Sequence, residues 1–179
     1  MSNEHFVVLA ALGPDRPGLV ADVTSFVTER GGNVEESRML ILGADFGVLV
    51  LVSGASDVAD AIVRDAKQLE AAIGASVIAR RTKSPEEHRR GEQKPVLITA
   101  ESFDRVGIVR AIAMAIKDIG LNIVDLETTA VQAPFTGATL FKIEARVDVP
   151  RDKTVAQIRE AMEEVAVNEH LDIDVRSLV

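Results

Sequence analysis

The spacing of apolar residues in the first half of the chain predicts an alternation of strands and helices. Phe6 to Leu12 is a short apolar run suited to a central strand. After Gly18, apolar residues recur with helical spacing until Gly31, and Pro17 suits the first helical turn. The inward positions of this helix are Leu19, Val20, Val23, Phe26 and Val27. A strand followed by a short helix is therefore expected.

The next segment predicts a hairpin, a second helix and a last strand. Asn33 to Leu42 and Phe46 to Ser53 are rich in branched aliphatic residues and are separated by a Gly-Ala-Asp turn. Asp57 is expected to cap a helix, and Ser76 to Arg80 supplies a strand. The apolar face of this second helix contains Val58, Ile62, Leu69 and Ile73.

An internal repeat shows that the second half copies the first. Residues 15–20 recur as residues 104–109, and the offset of 89 continues to the pairs Gly31/Gly120 and Asn33/Asn122. Of the 20 aligned pairs from 15/104 to 34/123, six are identical and four exchange one branched aliphatic residue for another. The same pattern predicts four strands, Val96–Ala100, Asn122–Ala130, Thr139–Val147 and Leu171–Arg176, and two helices, Ile108–Ile119 and one with Val155, Ile158, Met162 and Val165 on one face.

The repeated order βαββαβ predicts an α+β fold of two tandem ferredoxin-like modules, each with an antiparallel sheet and both helices on one face. We place the first domain at residues 1–82, a polar linker at 83–93 and the second domain at 94–179. A module of this size leaves one sheet face and two strand edges uncovered. Pairing is therefore expected, either between the two modules or as a homodimer.

Composition narrows the possible functions. The 28 acidic against 20 basic residues give a net charge of -8, and the absence of Trp and Tyr leaves no stacking platform for bases, so direct nucleic-acid binding is disfavoured. The absence of cysteine excludes disulfides, thiolate metal sites and cysteine nucleophiles. No signal peptide and no apolar stretch of about 20 residues is evident, which predicts a soluble cytoplasmic protein.

The repeated loop carries the main resemblance to a known family. Asp15-Arg16-Pro17-Gly18 before an aliphatic pair, and Gly31-Gly32-Asn33-Val34 after the helix, resemble the ACT domain, a small-molecule sensing module of amino-acid metabolism. The second copy matches with 104–109 and 120–123, although Val106 replaces the usual proline. Two such domains with no attached catalytic or DNA-binding domain resemble the glycine cleavage system transcriptional repressor family.

The resemblance implies a small amino-acid effector of the glycine or serine class. Gly18 would let a ligand approach the backbone, where the N–H groups that open the helix favour a carboxylate. Asp15 and Asn33, expected near the same end of the sheet, could accept hydrogen bonds from an ammonium group. The predicted ligand-binding residues are Asp15, Arg16, Pro17, Gly18, Leu19, Asn33, Val34, Asp104, Arg105, Gly107, Ile108, Asn122 and Ile123.

Purely structural roles are the alternative for several of these residues. Asp15 could be a helix cap, Gly18 a tight turn and Asn33 a residue that tolerates a left-handed backbone. Arg16 and Arg105 are better explained as solvated or paired with a carboxylate.

The sequence predicts a regulator that is not an enzyme and that has no cofactor or metal. No nucleophile elbow or phosphate loop occurs, and His5, His88 and His170 lack metal-ligand spacing. Because the chain is acidic and has no helix-turn-helix pattern, it would control transcription allosterically through a partner transcription factor. The first alternative is a regulatory subunit that docks on an amino-acid-metabolising enzyme. The second is an acylphosphatase-like hydrolase that uses Arg16 for phosphate and Asn33 to orient water.

Overall fold

Alternate residues of the first strand face the helices, so one face of this strand contributes to the core of the first half. In a computed structural model that describes residues 4–88, 93–103, 106–132 and 138–178, Val7, Leu9 and Ala11 are buried. Contacts divide the chain into two compact units, Met1–His88 and Arg89–Val179.

The first module has the order βαββαβ. Its elements are β1 (His5–Pro14), α1 (Leu19–Thr28), β2 (Asn33–Leu42), β3 (Asp45–Gly54), α2 (Ser56–Ile73) and β4 (Ser76–Thr82). The sheet is antiparallel with the strand order β2-β3-β1-β4, so β2 and β4 form its edges. A one-turn helix, α3 (Pro85–His88), follows within the predicted linker.

The second module repeats this topology. Its elements are β5 (Gln93–Phe103), α4 (Ile108–Asp118), β6 (Ile123–Gln132), β7 (Thr139–Pro150), α5 (Val155–Glu169) and β8 (Asp172–Ser177). The strand order is β6-β7-β5-β8, and every pair is antiparallel. The prediction of two tandem ferredoxin-like modules is confirmed, whereas the exact domain limits 1–82 and 94–179 stay predictions.

Each module has its own aliphatic core between the sheet and its two helices. Leu9 of β1 and Ile62 of α2 are fully buried in the first module, as are Ile98 of β5 and Ile112 of α4 in the second. Burial of such a side chain contributes roughly 1.5–3 kcal/mol relative to an exposed position. The helices are therefore held mainly by their apolar faces.

Several local predictions differ from the structure. The expected Asp57 cap is wrong, because α2 starts two residues earlier with Ala55 at the N-cap and Asp57 in the first turn. The strand predicted to begin at Asn122 begins at Ile123. Within the described ranges, no helix is both long enough and apolar enough to cross a membrane.

Candidate functional site

The predicted ligand loop contains a glycine in a left-handed conformation at the start of α1. Gly18 is the N-cap residue with φ +92°, and no side chain caps this helix. The first helical hydrogen bond runs from the Asp22 N–H to the Gly18 carbonyl at 2.9 Å, so the preceding amides point out of the helix start. These outward amides form a region of partial positive charge.

The second module reproduces this geometry. Gly107 is the N-cap of α4 with φ +102°, and the Ala111 N–H donates to the Gly107 carbonyl at 3.0 Å. A residue with a side chain is strained in this conformation. The backbone conformation at this position therefore requires glycine in both modules, independently of any ligand.

Arg16 lies over the start of α1 and is paired with a carboxylate, as the structural alternative proposed. Its Nη2 is 2.7 Å from Asp22 Oδ2, and its Nη1 donates to the Pro17 carbonyl at 3.3 Å. Both charged side chains stay about 40% exposed or more. Ala111 occupies the position equivalent to Asp22 in the second module, so that module has no carboxylate at this position.

The other loop residues have distinct surroundings. Asp15 is exposed and its N–H donates to the Ala44 carbonyl of the β2–β3 turn at 3.0 Å. It is not the helix cap, because Gly18 is the N-cap of α1 and no side chain caps that helix. Leu19 and Ile108 are buried in their cores, which leaves only their backbone for a ligand. Pro17 is exposed. Asp104 and Arg105 lie outside the described residues.

Asn33 does not lie near Asp15, and this expectation is wrong. Asn33 pairs with Ser53, and Ser53 pairs with Phe6 at the start of β1, whereas the glycine loop follows Pro14 at the end of β1. The eight residue steps from Phe6 to Pro14 span roughly 26 Å at about 3.3 Å per step. The reason is that α1 carries the chain back along the sheet before β2 begins.

Asn33 belongs instead to a polar cluster that the sequence analysis missed. Asn33 Nδ2 donates to Glu35 Oε1 at 2.7 Å, and the buried Ser53 hydroxyl donates to the same oxygen at 2.5 Å. These two hydrogen bonds, first from Ser53 and then from Asn33, lower the pKa of Glu35. Glu35 lies where the β2–β3 register shifts, and no sequence signal marks that bulge.

The second module does not repeat this cluster. The register places Val124 at the position of Glu35 and Asp148 at the position of Ser53. Asn122 is exposed immediately before β6, and Ile123 is half-buried, as is Val34 in the first module. The two modules therefore share the glycine bend but not the polar cluster at the opposite end.

The structure also contains open clefts between the helices. One of about 500 Å³ lies between the end of α4 and the start of α5, lined by Asp118, Gly120, Lys153 and Glu164 among others. A smaller cleft occupies the related place between α1 and α2 and contains Arg30 and Asp65. Across the residues that the structure describes, no three His, Asp or Glu side chains are grouped to hold a metal ion.

Comparison with known proteins agrees with this fold. Residues 5–78 match the family model of the ACT domain. A crystal structure of an unknown protein from Galdieria sulphuraria is 32% identical, with a TM-score of 0.79, and the match covers 98% of this chain and 99% of that one. A structure provisionally named glycine cleavage system transcriptional repressor is 20% identical over 99% of both chains, with a TM-score of 0.74.

The first module matches the ACT domain family, and the second module repeats its topology. Part of the chain is 44% identical, over 54 residues, to the glycine cleavage system transcriptional repressor of Escherichia coli (strain K12), and equally to that of Shigella flexneri. This alignment covers 30% of the chain and 28% of those proteins. The chain thus resembles the repressor family in sequence over less than a third of its length.

Proposed function

We propose that the chain is a regulatory protein that binds a small amino acid of the glycine or serine class and thereby changes its association with a protein partner. The observation that carries this proposal is the left-handed glycine at a helix start in both modules, Gly18 and Gly107. The match of residues 5–78 to the ACT domain supports it.

The loop offers complementary groups to a zwitterion. The outward amides after Gly18 favour the ligand carboxylate. Arg16, which pairs with Asp22 at 2.7 Å, could exchange that partner for the same carboxylate. The exposed Asp15 could accept hydrogen bonds from the ammonium group. The proposed first site therefore comprises Asp15, Arg16, Pro17, Gly18 and the backbone of Leu19.

The second module offers a simpler version of this site. Gly107 and the backbone of Ile108 repeat the bend, and Asp104 and Arg105 stay predicted members of it. Ligand roles for Asn33, Val34, Asn122 and Ile123 also stay predictions. Asn33 would act at the end of the first sheet that is far from Gly18. The second module has the same topology, so Asn122 would likewise act far from Gly107.

The proposed regulation acts on genes of glycine and one-carbon metabolism through a separate transcription factor in the cytoplasm. The similarity to the two repressors supports gene control, and the net charge of -8 favours an indirect route over contact with DNA. The amino acid must bind the partner-bound and free states with different affinities, because a ligand with equal affinity switches nothing.

Co-purification tests the partner part of the proposal. Recovery of a transcription factor with the tagged full chain, in an amount that depends on glycine or serine, would support gene control. Recovery of an amino-acid-metabolising enzyme instead would overturn gene control and favour the docked regulatory subunit.

The hydrolase alternative loses its geometric basis. It required Arg16 and Asn33 to act on one substrate, but the register places them at opposite ends of β1. We therefore propose that the chain is not catalytic. An acyl-phosphate hydrolysis assay with the full chain checks this point, and turnover that depends on Arg16 would contradict it.

Calorimetric titration of the full chain tests the binding part directly. We expect heat of binding with glycine or serine, weakened in a Gly18→Ala variant. Gly74→Ala is the matched control, because Gly74 also has a positive φ and open space for a Cβ but caps the end of α2. No binding across glycine, serine and the branched-chain amino acids would overturn the proposal.

A further inference from the structure

The two sheets differ sharply on the face that points away from their helices. In the first module this outer face contains the residues that alternate with the buried Val7, Leu9 and Ala11. We define the outer face of the first sheet by Phe6, Val8, Ala10 and Leu12 of β1, Glu36, Arg38 and Leu40 of β2, Gly47, Leu49, Leu51 and Ser53 of β3, and Ile78 and Arg80 of β4.

The middle of this outer face is apolar and exposed. Leu12, Leu40, Leu49 and Ile78 are 61%, 50%, 55% and 68% exposed. The register places them together, because Leu12 and Leu40 flank Gly47 while Leu49 and Ile78 flank Ala10. Single exposed apolar residues need no explanation, but a contiguous patch of this kind marks an interaction surface.

The second module shows that the fold does not require this patch. Its register places Glu101 where the first has Leu12, Thr129 where it has Leu40, Glu144 where it has Leu49 and Asp174 where it has Ile78. Three of the four exposed apolar residues are therefore carboxylates in the other copy of the same sheet. The leucines and isoleucine need a reason other than folding.

We propose that the outer face of the first sheet packs against the same face of a second copy of the chain. Leu12, Leu40, Leu49 and Ile78 protrude around Gly47 and Ala10, which leave a depression between them. A two-fold arrangement lets each copy insert its protruding residues into the depression of the other. Two sheets packed face to face in this way resemble the two layers of a sandwich.

The available area suits a reversible dimer. The width of the face is four strands spaced by about 4.8 Å, and its length is about six residues along each strand. Together these dimensions give roughly 400 Å² of flat area per copy. Two faces supply roughly 800 Å² before side-chain relief is counted, which approaches the ~1,000 Å² of a small specific interface. We therefore expect an equilibrium between dimer and monomer.

Charge favours a second copy as the occupant. The chain is strongly acidic, so two copies repel each other except through faces without net negative charge. On this face the β2 charges Glu36 and Arg38 approach each other at 3.8 Å, and β4 adds Arg80. A carboxylate-bearing face like that of the second sheet would take charged groups such as the Glu101–Lys142 pair out of water against the leucines.

Sedimentation of the full chain tests this proposal, which does not depend on amino-acid binding. We expect the wild type to form a dimer that dissociates on dilution, and a Leu49→Glu, Ile78→Asp variant to have half that mass. Leu49 lies on the interior strand β3 and Ile78 on the edge strand β4, so this variant leaves the β2 edge unchanged and replaces one side chain on the β4 edge. Val167→Glu on α5, where Val167 is 75% exposed, is the matched control and should remain dimeric.

The outcomes separate this interface from its rivals. Circular dichroism should show an unchanged fold in the double variant, since the second sheet carries carboxylates at both positions. A wild-type chain that stays monomeric at the highest concentration reached would overturn the proposal. A double variant that stays dimeric would overturn it too, and would indicate pairing by another surface.

Discussion

Asn33 lies directly opposite Ser53, and both donate hydrogen bonds to one carboxylate oxygen of Glu35. This relationship joins two strands at the end of the sheet remote from the glycine loop. It also gives Asn33 a structural role that is independent of any ligand. The repeated motif therefore contains two features that are close in sequence and far apart in space.

The Glu35 cluster predicts a pH effect. In Ser53→Ala the pKa of Glu35 should rise toward its ordinary value, because the Ser53 hydroxyl is the largest cause of the lowered pKa. In the wild type the stabilisation by Glu35 is present above the pKa of the unfolded chain and is lost as the pH falls through the lower folded value. NMR titration of the Glu35 carboxyl carbon measures the shift.

Asn33→Ala is the matched comparison for that titration. Because Asn33 is the second cause of the lowered pKa, its removal should raise the pKa of Glu35 less than removal of Ser53. An unchanged Glu35 pKa in both variants would show that the cluster does not form in solution.

Close packing around Gly32 predicts a large effect of one methyl group. A Cβ at Gly32 would lie 2.9–3.1 Å from side-chain atoms of Val52, Val27 and Ile62. Gly32→Ala should therefore lower the free energy of unfolding by about 1–3 kcal/mol, measured by urea denaturation.

Gly47→Ala provides the control for this packing effect. Its Cβ would come no closer than 3.8 Å to any neighbour, and its φ is not positive. We expect a change within about 0.5 kcal/mol when both variants are measured at a dilution at which the chain is monomeric, because Gly47 lies in the proposed dimer interface. Equal losses at Gly32 and Gly47 would contradict the packing explanation.

The uncapped start of α2 predicts a stabilising substitution. Ala55 is the N-cap residue and makes no side-chain cap, whereas Thr154 forms a capping box with Gln157 at α5. Ala55→Asp should raise the free energy of unfolding by about 0.5–1 kcal/mol, and Thr154→Ala should lower it by about 1 kcal/mol. Urea denaturation of both variants measures these changes, and a destabilised Ala55→Asp variant would place the helix start elsewhere.

The regular elements could be predicted from sequence because their patterns are local. The branched aliphatic residues and glycines that bound Asn33–Leu42 predict this strand with the limits that the structure shows. The N-cap of α2 could not be assigned in the same way. Residues 55–57 offer Ala, Ser and Asp, and the backbone conformation decides which of them opens the helix.

The candidate site was only partly predictable, because it depends on direction and register. The motif shows Gly18 and Asn33 separated by one helix, but not that this helix returns the chain to the other end of β1. The Glu35 cluster depends on a bulge in β2, and the Arg16–Asp22 pair depends on how the loop folds over α1. The exposed outer face likewise required the strand register.

Amide NMR during titration with glycine and with serine tests the central claim most directly. We predict that the largest shifts occur at the helix starts, in the N–H signals of Gly18 to Val20 and of the related residues that follow Gly107. Shifts confined to other regions, or no shifts with any amino acid tested, would contradict binding at the glycine bends.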